Sequence, residues 1–238
     1  MRIMLALEPK ERERLLAATS PVSLESKQIL LNGGEHIDTV YFPDNAVVSV
    51  LITMDDGATV EVANIGNEGI VGVSAFLGVD TLGVRESYQV EVPGQARAMD
   101  VATFLKAARR DPLRSLVEHY VQAQFIQVAQ RMACVAHHSI PERCSRWLLL
   151  THDRVGDREF PLTQELLAQM LGVRRASVSV AAGALQHAGL ISYSRGRVTI
   201  IDRQGLENAA CECYGIIRTE FERLLSLPGG RVGHRRST

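Results

Sequence analysis

Between Thr163 and Ser179 the chain reads Thr-Gln-Glu-Leu-Leu-Ala-Gln-Met-Leu-Gly-Val-Arg-Arg-Ala-Ser-Val-Ser, and several of these side chains suit a polyanionic partner. Arg174 and Arg175 offer planar guanidinium forks for guanine edges or phosphates, and the hydroxyls of Ser177 and Ser179 can donate to phosphate oxygens. The apolar residues around them keep helical spacing: Leu166, Leu167, Met170 and Leu171 on a first helix, then Val173, Val178 and Leu185 holding a second. Ala168 is small where the two helices must cross, and Gly172 permits the turn between them. A short strand pair is expected next, Leu190 to Tyr193 and Val198 to Ile201, turned at Ser194-Arg195-Gly196. Two short helices, a tight turn and a hairpin describe a winged helix-turn-helix whose partner is double-stranded DNA. Its expected contacts are Thr163, Gln164, Arg174, Arg175, Ser177, Ser179, Arg195 and Arg197. A solvated helix face would account for two adjacent arginines alone, but not for the scaffold, the glycine and the hairpin together.

The charge balance supports this location once it is resolved along the chain. The 238 residues carry a formal net charge of −1, which taken whole argues against a nucleic-acid partner. Up to Pro141, however, 12 Lys and Arg stand against 17 Asp and Glu, and from Glu142 onward 14 stand against 10. Between Arg174 and Arg203 there are five arginines and one acid, Asp202. Composition is otherwise that of a globular protein, with 46% hydrophobic and 22% charged residues. No run of apolar residues reaches membrane-spanning length and no signal-peptide pattern opens the chain, so a cytoplasmic protein without membrane contact is expected.

The elements that must position the arginines fall into three blocks. From Pro21 to about Val101, short Val/Ile/Thr-rich runs alternate with turn residues. Thr39 to Phe42, Val47 to Met54 and Ala58 to Ile65 read as strands, with Asp56-Gly57 the strongest hairpin signal. A short helix at Pro9 to Ala18 precedes them. After Asp100 the period changes, and in the glycine-free stretch from Asp111 to about Ala136 Val121, Phe125, Val128, Met132 and Val135 recur at spacings of 4, 3, 4 and 3, the rhythm of a helix that pairs with another helix. Ser139-Ile140-Pro141 breaks that helix. Helices at Pro141 to His152, Thr163 to Met170 and Arg174 to Ala188 follow, and a last amphipathic helix runs from Gln204 to about Leu225. The expected fold is α+β, divided into an antiparallel β sandwich or roll at 1–110, a long helix at 111–138 that pairs with another helix or lies on its own β domain, the winged helix-turn-helix with its extra helix at 139–227, and a disordered tail at 228–238.

Several motifs in this order resemble the Crp/Fnr family of bacterial transcription regulators. They are Leu31-Asn32-Gly33-Gly34-Glu35 followed by Thr39-Val40-Tyr41-Phe42, then Asp56-Gly57, then Gly66-Asn67-Glu68-Gly69-Ile70-Val71-Gly72, and the stretch from Thr163 to Leu190-Ile191. The resemblance covers about Leu7 to Ile201. It implies a cyclic-nucleotide-binding-type roll, a homodimer sealed along Val121, Phe125, Val128, Met132 and Val135, a near-palindromic operator, and RNA polymerase as a further partner.

The family pattern also fails in places. Cyclic-AMP-responsive members bind ligand through a Gly-Glu-Leu segment and an Arg before Ser-Ala, and the corresponding positions here are Gly72-Val73-Ser74 and Arg85-Glu86-Ser87. Valine cannot accept a ribose hydroxyl, and a carboxylate beside Arg85 repels phosphate, so Gly72, Val73, Ser74 and Arg85 line at most an altered pocket and the effector is expected not to be cyclic AMP. The recognition segment keeps Arg175 at the guanine-reading position and puts Ala176 and Val180 where the best-known member has Glu and Arg, so the operator should differ. No metal or cofactor is expected. No cysteine precedes Cys134, which removes the iron-sulfur type of sensing; haem or another effector stays open. Cys211 and Cys213, two residues apart on one expected helix, would point about 200° apart and fail to share a metal. His137-His138 reads as solvated.

Two rivals remain beside a transcription regulator. A sensor module acting mainly through protein contacts would not bind DNA with a strong salt dependence. A catalytic jelly-roll barrel would need a His/Glu metal set, and the roll has one histidine, His36.

Overall fold

The computed structural model describes residues 2–226, so the expected tail at 228–238 lies outside the described residues. Two short helices, α1 (Arg2–Leu5) and α2 (Pro9–Ala17), lead into β1 (Ser20–Leu24), β2 (Ile29–Leu31), β3 (Thr39–Pro43), β4 (Val47–Thr53) and β5 (Thr59–Ile65). A 3-10 turn at Val73–Leu77, then β6 (Glu86–Val92) and β7 (Gly94–Asp100), complete the roll. The strands make two antiparallel sheets, β1-β7-β3 and β2-β6-β4-β5. Pro93 sits at the corner where the chain leaves β6 for β7 in the other sheet, a place where a missing N–H costs no ladder bond. Leu24, Leu31, Ile37, Val48, Val50, Ile65, Tyr88 and Val90 pack together as the core of the roll. The β4–β5 hairpin turns as expected at Asp56-Gly57. Gly57 has φ +80° there, and the Asp56 carboxylate accepts from the Ala58 N–H at 3.0 Å.

Residues Val47 to Leu51 of β4 are all buried, the pattern of a strand covered on both faces. Its partner β5 holds Glu61 and β6 holds Glu91, both within the protein. The helices that cover this sheet come from the other half of the chain.

That half begins with α3 (Val101–Ala107), which the pattern reading missed although Asp100 caps it, accepting from the Thr103 N–H at 2.9 Å. Next come α4 (Leu113–His137) and α5 (Ile140–Val155), separated by the Ser139/Glu142 capping box. With 25 residues, α4 is about 37 Å long. Then follow β8 (Glu159–Pro161), α6 (Gln164–Leu171), α7 (Arg175–His187), β9 (Ile191–Ser194), β10 (Arg197–Ile200), α8 (Arg203–Asn208) and α9 (Cys213–Leu224). The hairpin expected beyond α7 forms, and β8 adds a third strand to it, giving a sheet ordered β8-β10-β9.

The single last helix expected from Gln204 to Leu225 is corrected: it is two helices with a break at residues 209–212. Asp202 starts α8 by accepting from the Gly205 N–H at 2.9 Å, and α9 then runs back along α4, bringing Phe221 to 6.4 Å from Tyr120 between ring centroids. Among the described residues no helix is long and apolar enough to cross a membrane.

The halves meet along a buried polar seam. Arg131 on α4 pairs with Glu61 of β5 and donates to the Met170 carbonyl at the end of α6, while Arg143 on α5 donates to the neighbouring Leu171 carbonyl. Arg154 on α5 reaches Glu68 at 2.8 Å, Asn64 at 2.7 Å and Gln127 at 3.0 Å. Three arginines counted above toward the basic second half, Arg143, Arg146 and Arg154, are thus interior, at 6%, 2% and 4% exposure. They contribute nothing to a DNA-facing surface.

Candidate nucleic-acid interface

The turn between α6 and α7 is built by its own sequence. Thr163 caps α6, its hydroxyl accepting from the Leu166 N–H at 3.1 Å. At the other end Gly172 adopts φ +63°, and the Val173 N–H reaches back to the Ala168 carbonyl at 3.0 Å, closing the helix in a Schellman turn. A side chain at 172 would strain this conformation. Arg131 and Arg143 hold the last carbonyls of α6 from below, so the turn is fixed from inside as well as by its glycine. Of the residues expected on the apolar faces, Leu167, Met170 and Leu171 on α6 and Val178 and Leu185 on α7 are buried together, Leu166 and Val173 are half-buried against the same core, and Ala181 joins it.

The opposite surface carries the expected contacts. Arg174 and Arg175 are exposed and, among the described residues, form no ion pair. Arg174 occupies the N-cap of α7 with no side chain bonding the first amides, so these N–H groups and the positive end of the helix dipole face outward beside two guanidiniums. From Leu166 to Ile201 there is no acidic residue. Ser179 is exposed and its hydroxyl donates to Gln164 Oε1 at 2.6 Å, so these two expected contacts form one polar unit across the two helices. Ser177 is half-buried near the start of α7.

The wing turns at Arg195 and Gly196, both with positive φ (49° and 73°), the geometry of a two-residue hairpin loop. Arg195 at its tip is exposed and, like the two helix arginines, pairs with no acid among the described residues. Arg197 differs. It is ion-paired to Glu159 of β8, and this guanidinium holds the Glu159 carboxyl below its ordinary range. The strand β8 was not anticipated, so this offset of one wing charge was not either.

Elsewhere the expectations divide. Gly72 has φ +83° and opens the 3-10 turn that carries Val73 and Ser74. Arg85, immediately before β6, is ion-paired to Asp55 of the β4–β5 turn. Ser74 Oγ is buried without a hydrogen-bond partner. On α4, one face (Leu116, Val117, Tyr120, Ala123, Gln127, Arg131, Cys134) is buried. The face expected to pair has Val121 half-buried and leaves Phe125, Val128, Met132 and Val135 at 70%, 37%, 74% and 51% exposure.

The cysteine expectation is corrected. Cys211 lies in the break before α9 and Cys213 is its first residue, so helical geometry does not separate them, and both sulfurs approach Cys134 and His138 from α4. His138 is also not solvated, with only 11% of its side chain exposed. The i, i+4 spacing of Cys134 and His138 at a helix end, together with Cys-x-Cys, was the available signal.

Comparison with known proteins bears on this geometry. Residues 142–209 match the Crp-like helix-turn-helix domain. No curated protein matches the chain. Among solved structures, FixK2 from Bradyrhizobium japonicum is similar at 16% identity and a TM-score of 0.68, covering 81% of this chain and 98% of its own. A putative transcriptional regulator of the Crp/Fnr family from Eubacterium rectale is similar at 17% identity and 0.64, covering 88% and 97%. TTHB099, a CRP-family transcriptional regulator from Thermus thermophilus, is similar at 21% and 0.64, covering 79% and 96%. From the roll through the helix-turn-helix, the fold is the one these solved structures share.

Proposed function

We propose that this chain, with the Crp/Fnr fold throughout and a Crp-like helix-turn-helix at 142–209, is a homodimeric, sequence-specific DNA-binding regulator of transcription. The observation that carries the reading is the start of α7: two exposed arginines that form no ion pair among the described residues, and an uncapped helix N-terminus, within a stretch from Leu166 to Ile201 that holds no acid. A phosphate or guanine edge is what that arrangement can bind. Arg175, Ser179 and Gln164 would enter the major groove, Arg174 and Ser177 would hold phosphates, and Arg195 on the wing would reach the flanking backbone.

The second copy follows from α4. An apolar stripe of Phe125, Val128, Met132 and Val135 open to water is unfavourable, since each such side chain gains roughly 1.5–3 kcal/mol when fully buried. Its heptad spacing fits an identical helix, and a two-fold axis there would present two α7 helices to a near-palindromic site. The signal acts at the roll, and the pairing of Arg85 with Asp55, together with Val73 where a ribose hydroxyl would need an acceptor, supports an effector other than cyclic AMP. The outer face of β4 and β5 meets α4 and α6 through Glu61, Arg131 and the Met170 carbonyl, so movement in the roll would reach the recognition turn directly. RNA polymerase would be the partner through which a bound dimer acts.

The test is selection of bound fragments from random duplex DNA, followed by fluorescence anisotropy across salt concentrations. Specific binding should weaken with a log–log slope of about −0.9 per phosphate neutralised. Binding without sequence preference, or none at low salt, would leave the sensor-module reading in its place.

A further inference from the structure

We propose that Cys134, His138, Cys211 and Cys213 form a tetrahedral site for one thiolate-preferring divalent ion of the zinc class, fastening the start of α9 to the end of α4. The four candidate ligand atoms lie within 4.8 Å of one another. Cys134 Sγ and Cys211 Sγ are 3.5 Å apart, and Cys213 Sγ is 3.5 Å from His138 Nδ1. Tetrahedral coordination with Zn–S near 2.3 Å and Zn–N near 2.05 Å requires S···S edges of about 3.8 Å and S···N edges of about 3.6 Å. The cluster therefore has the dimensions of a mononuclear site with ligands in place. A polynuclear iron-sulfur centre spreads its ligands over several metals and needs a wider cage.

The surroundings match a metal site more closely than a packed core. The three cysteines are buried, at 0%, 4% and 1% exposure, yet they cluster with one another and not with the apolar cores of either half. His138 Nε2 lies 2.9 Å from Glu212 Oε2, a carboxylate that favours a proton on Nε2, and Nδ1 is on the side of Cys213, 3.5 Å from its sulfur. This is the carboxylate–histidine support that orients and strengthens an imidazole ligand. Gln130 Nε2 donates to Cys213 Sγ at 3.1 Å, a contact that favours thiolate. Each thiol loses its proton as its sulfur bonds the ion, so three thiolates, a neutral imidazole and a dication sum to a single negative charge. Arg146 is buried nearby, its Nε lacks a partner, and burial pulls its pKa down while the Cys134 and Cys211 sulfurs pull it up. Its charge would offset the single negative charge of the bound centre. Cys144, the remaining cysteine, stands apart, its thiol pushed up to about 12 by burial alone.

This inference is independent of DNA binding. The full-length protein, purified under reducing conditions without added metal, is assayed for metal content and then exchanged with Co²⁺. The expected result is roughly one equivalent of zinc per chain, with the visible bands of tetrahedral cobalt and sulfur-to-cobalt charge transfer after exchange. Cys134→Ser, Cys211→Ser and Cys213→Ser should each weaken metal retention by at least ~10-fold, and Glu212→Gln by less, whereas Cys144→Ala keeps the full equivalent. Should the serine variants fail to fold, the wild-type cobalt spectrum decides. Absence of stoichiometric metal together with no thiolate–cobalt bands overturns the proposal, as does iron with labile sulfide or a Cys134–Cys211 disulfide in the protein as isolated.

Discussion

The Arg131–Glu61 pair is one of the buried contacts that join the roll to the helix-turn-helix. Both side chains are buried, at 9% and 0% exposure, and each serves a further partner. Glu61 Oε1 also accepts from Trp147 Nε1 at 3.3 Å, and Arg131 also donates to the Met170 carbonyl. Replacing Glu61 by Leu leaves a guanidinium in the interior without its anion, a loss of about 3–5 kcal/mol for a broken buried pair. Glu91 moderates it. This carboxyl is buried beside Glu61, with Ser49 Oγ at 2.6 Å from one and 3.0 Å from the other, and it can ionise once the neighbouring charge is gone. The loss should therefore fall nearer ~3 than ~5 kcal/mol. Arg131→Met strands Glu61 in the same way, but the double variant removes both charges and should recover about 2–3 kcal/mol relative to the summed singles. Urea unfolding followed by fluorescence reads the site directly, because Trp147 is the single tryptophan and touches Glu61. Far-UV circular dichroism must give the same midpoint for the two-state treatment to hold. Single losses under ~1 kcal/mol that add in the double variant would refute the claim that this pair ties the halves together.

Three further outcomes follow. Burial, with Glu61 adding, pushes the Glu91 carboxyl up to about 8 from its ordinary 4.5, so the folded protein holds a proton that the unfolded chain releases. The resulting stability is fully present below about pH 4.5 and is lost as pH rises toward 8. Glu91→Gln should flatten that slope in denaturation midpoints across the window, and an unchanged slope would assign it elsewhere. On the DNA side, Arg175→Ala should cost roughly 1–3 kcal/mol of specific affinity and relax preference at one base position, while Arg174→Ala should weaken all sequences alike and reduce the salt slope by about 0.9. Competition footprinting that shows no loss for Arg175→Ala would mean that another part of α7 reads the bases. Met132→Glu places a charge in the α4 stripe and should shift the protein toward monomer in sedimentation equilibrium; an unchanged assembly state would put the dimer contact elsewhere.

How much of this was legible from residue order depends on how far apart the partners lie in the chain. The recognition unit is local. Thr163 caps the helix it begins, Gly172 ends the same helix with φ +63°, and Arg174 and Arg175 follow within the turn, so spacing alone placed all of them. The β4–β5 hairpin was legible for the same reason, through Asp56-Gly57. The break between α8 and α9 carries no glycine or proline, reading Ala209-Ala210-Cys211-Glu212, and so no local stop signal marked it. What bends the chain there is packing against α4, where Cys211 meets Cys134 from 77 positions away. The buried arginines mislead for a related reason. Arg143, Arg146 and Arg154 count as basic surface in any tally of charge, and only their distant partners show otherwise: the Leu171 carbonyl, and Glu68 and Asn64 from the roll. A charge tally locates a DNA-binding surface only after interior ions are removed. Here the removal leaves Arg174, Arg175 and Arg195 as exposed cations of α7 and the wing that form no ion pair among the described residues, with Arg197 held by Glu159. The charge asymmetry between the halves therefore pointed to the domain that holds the helix-turn-helix partly through residues that never face the solvent.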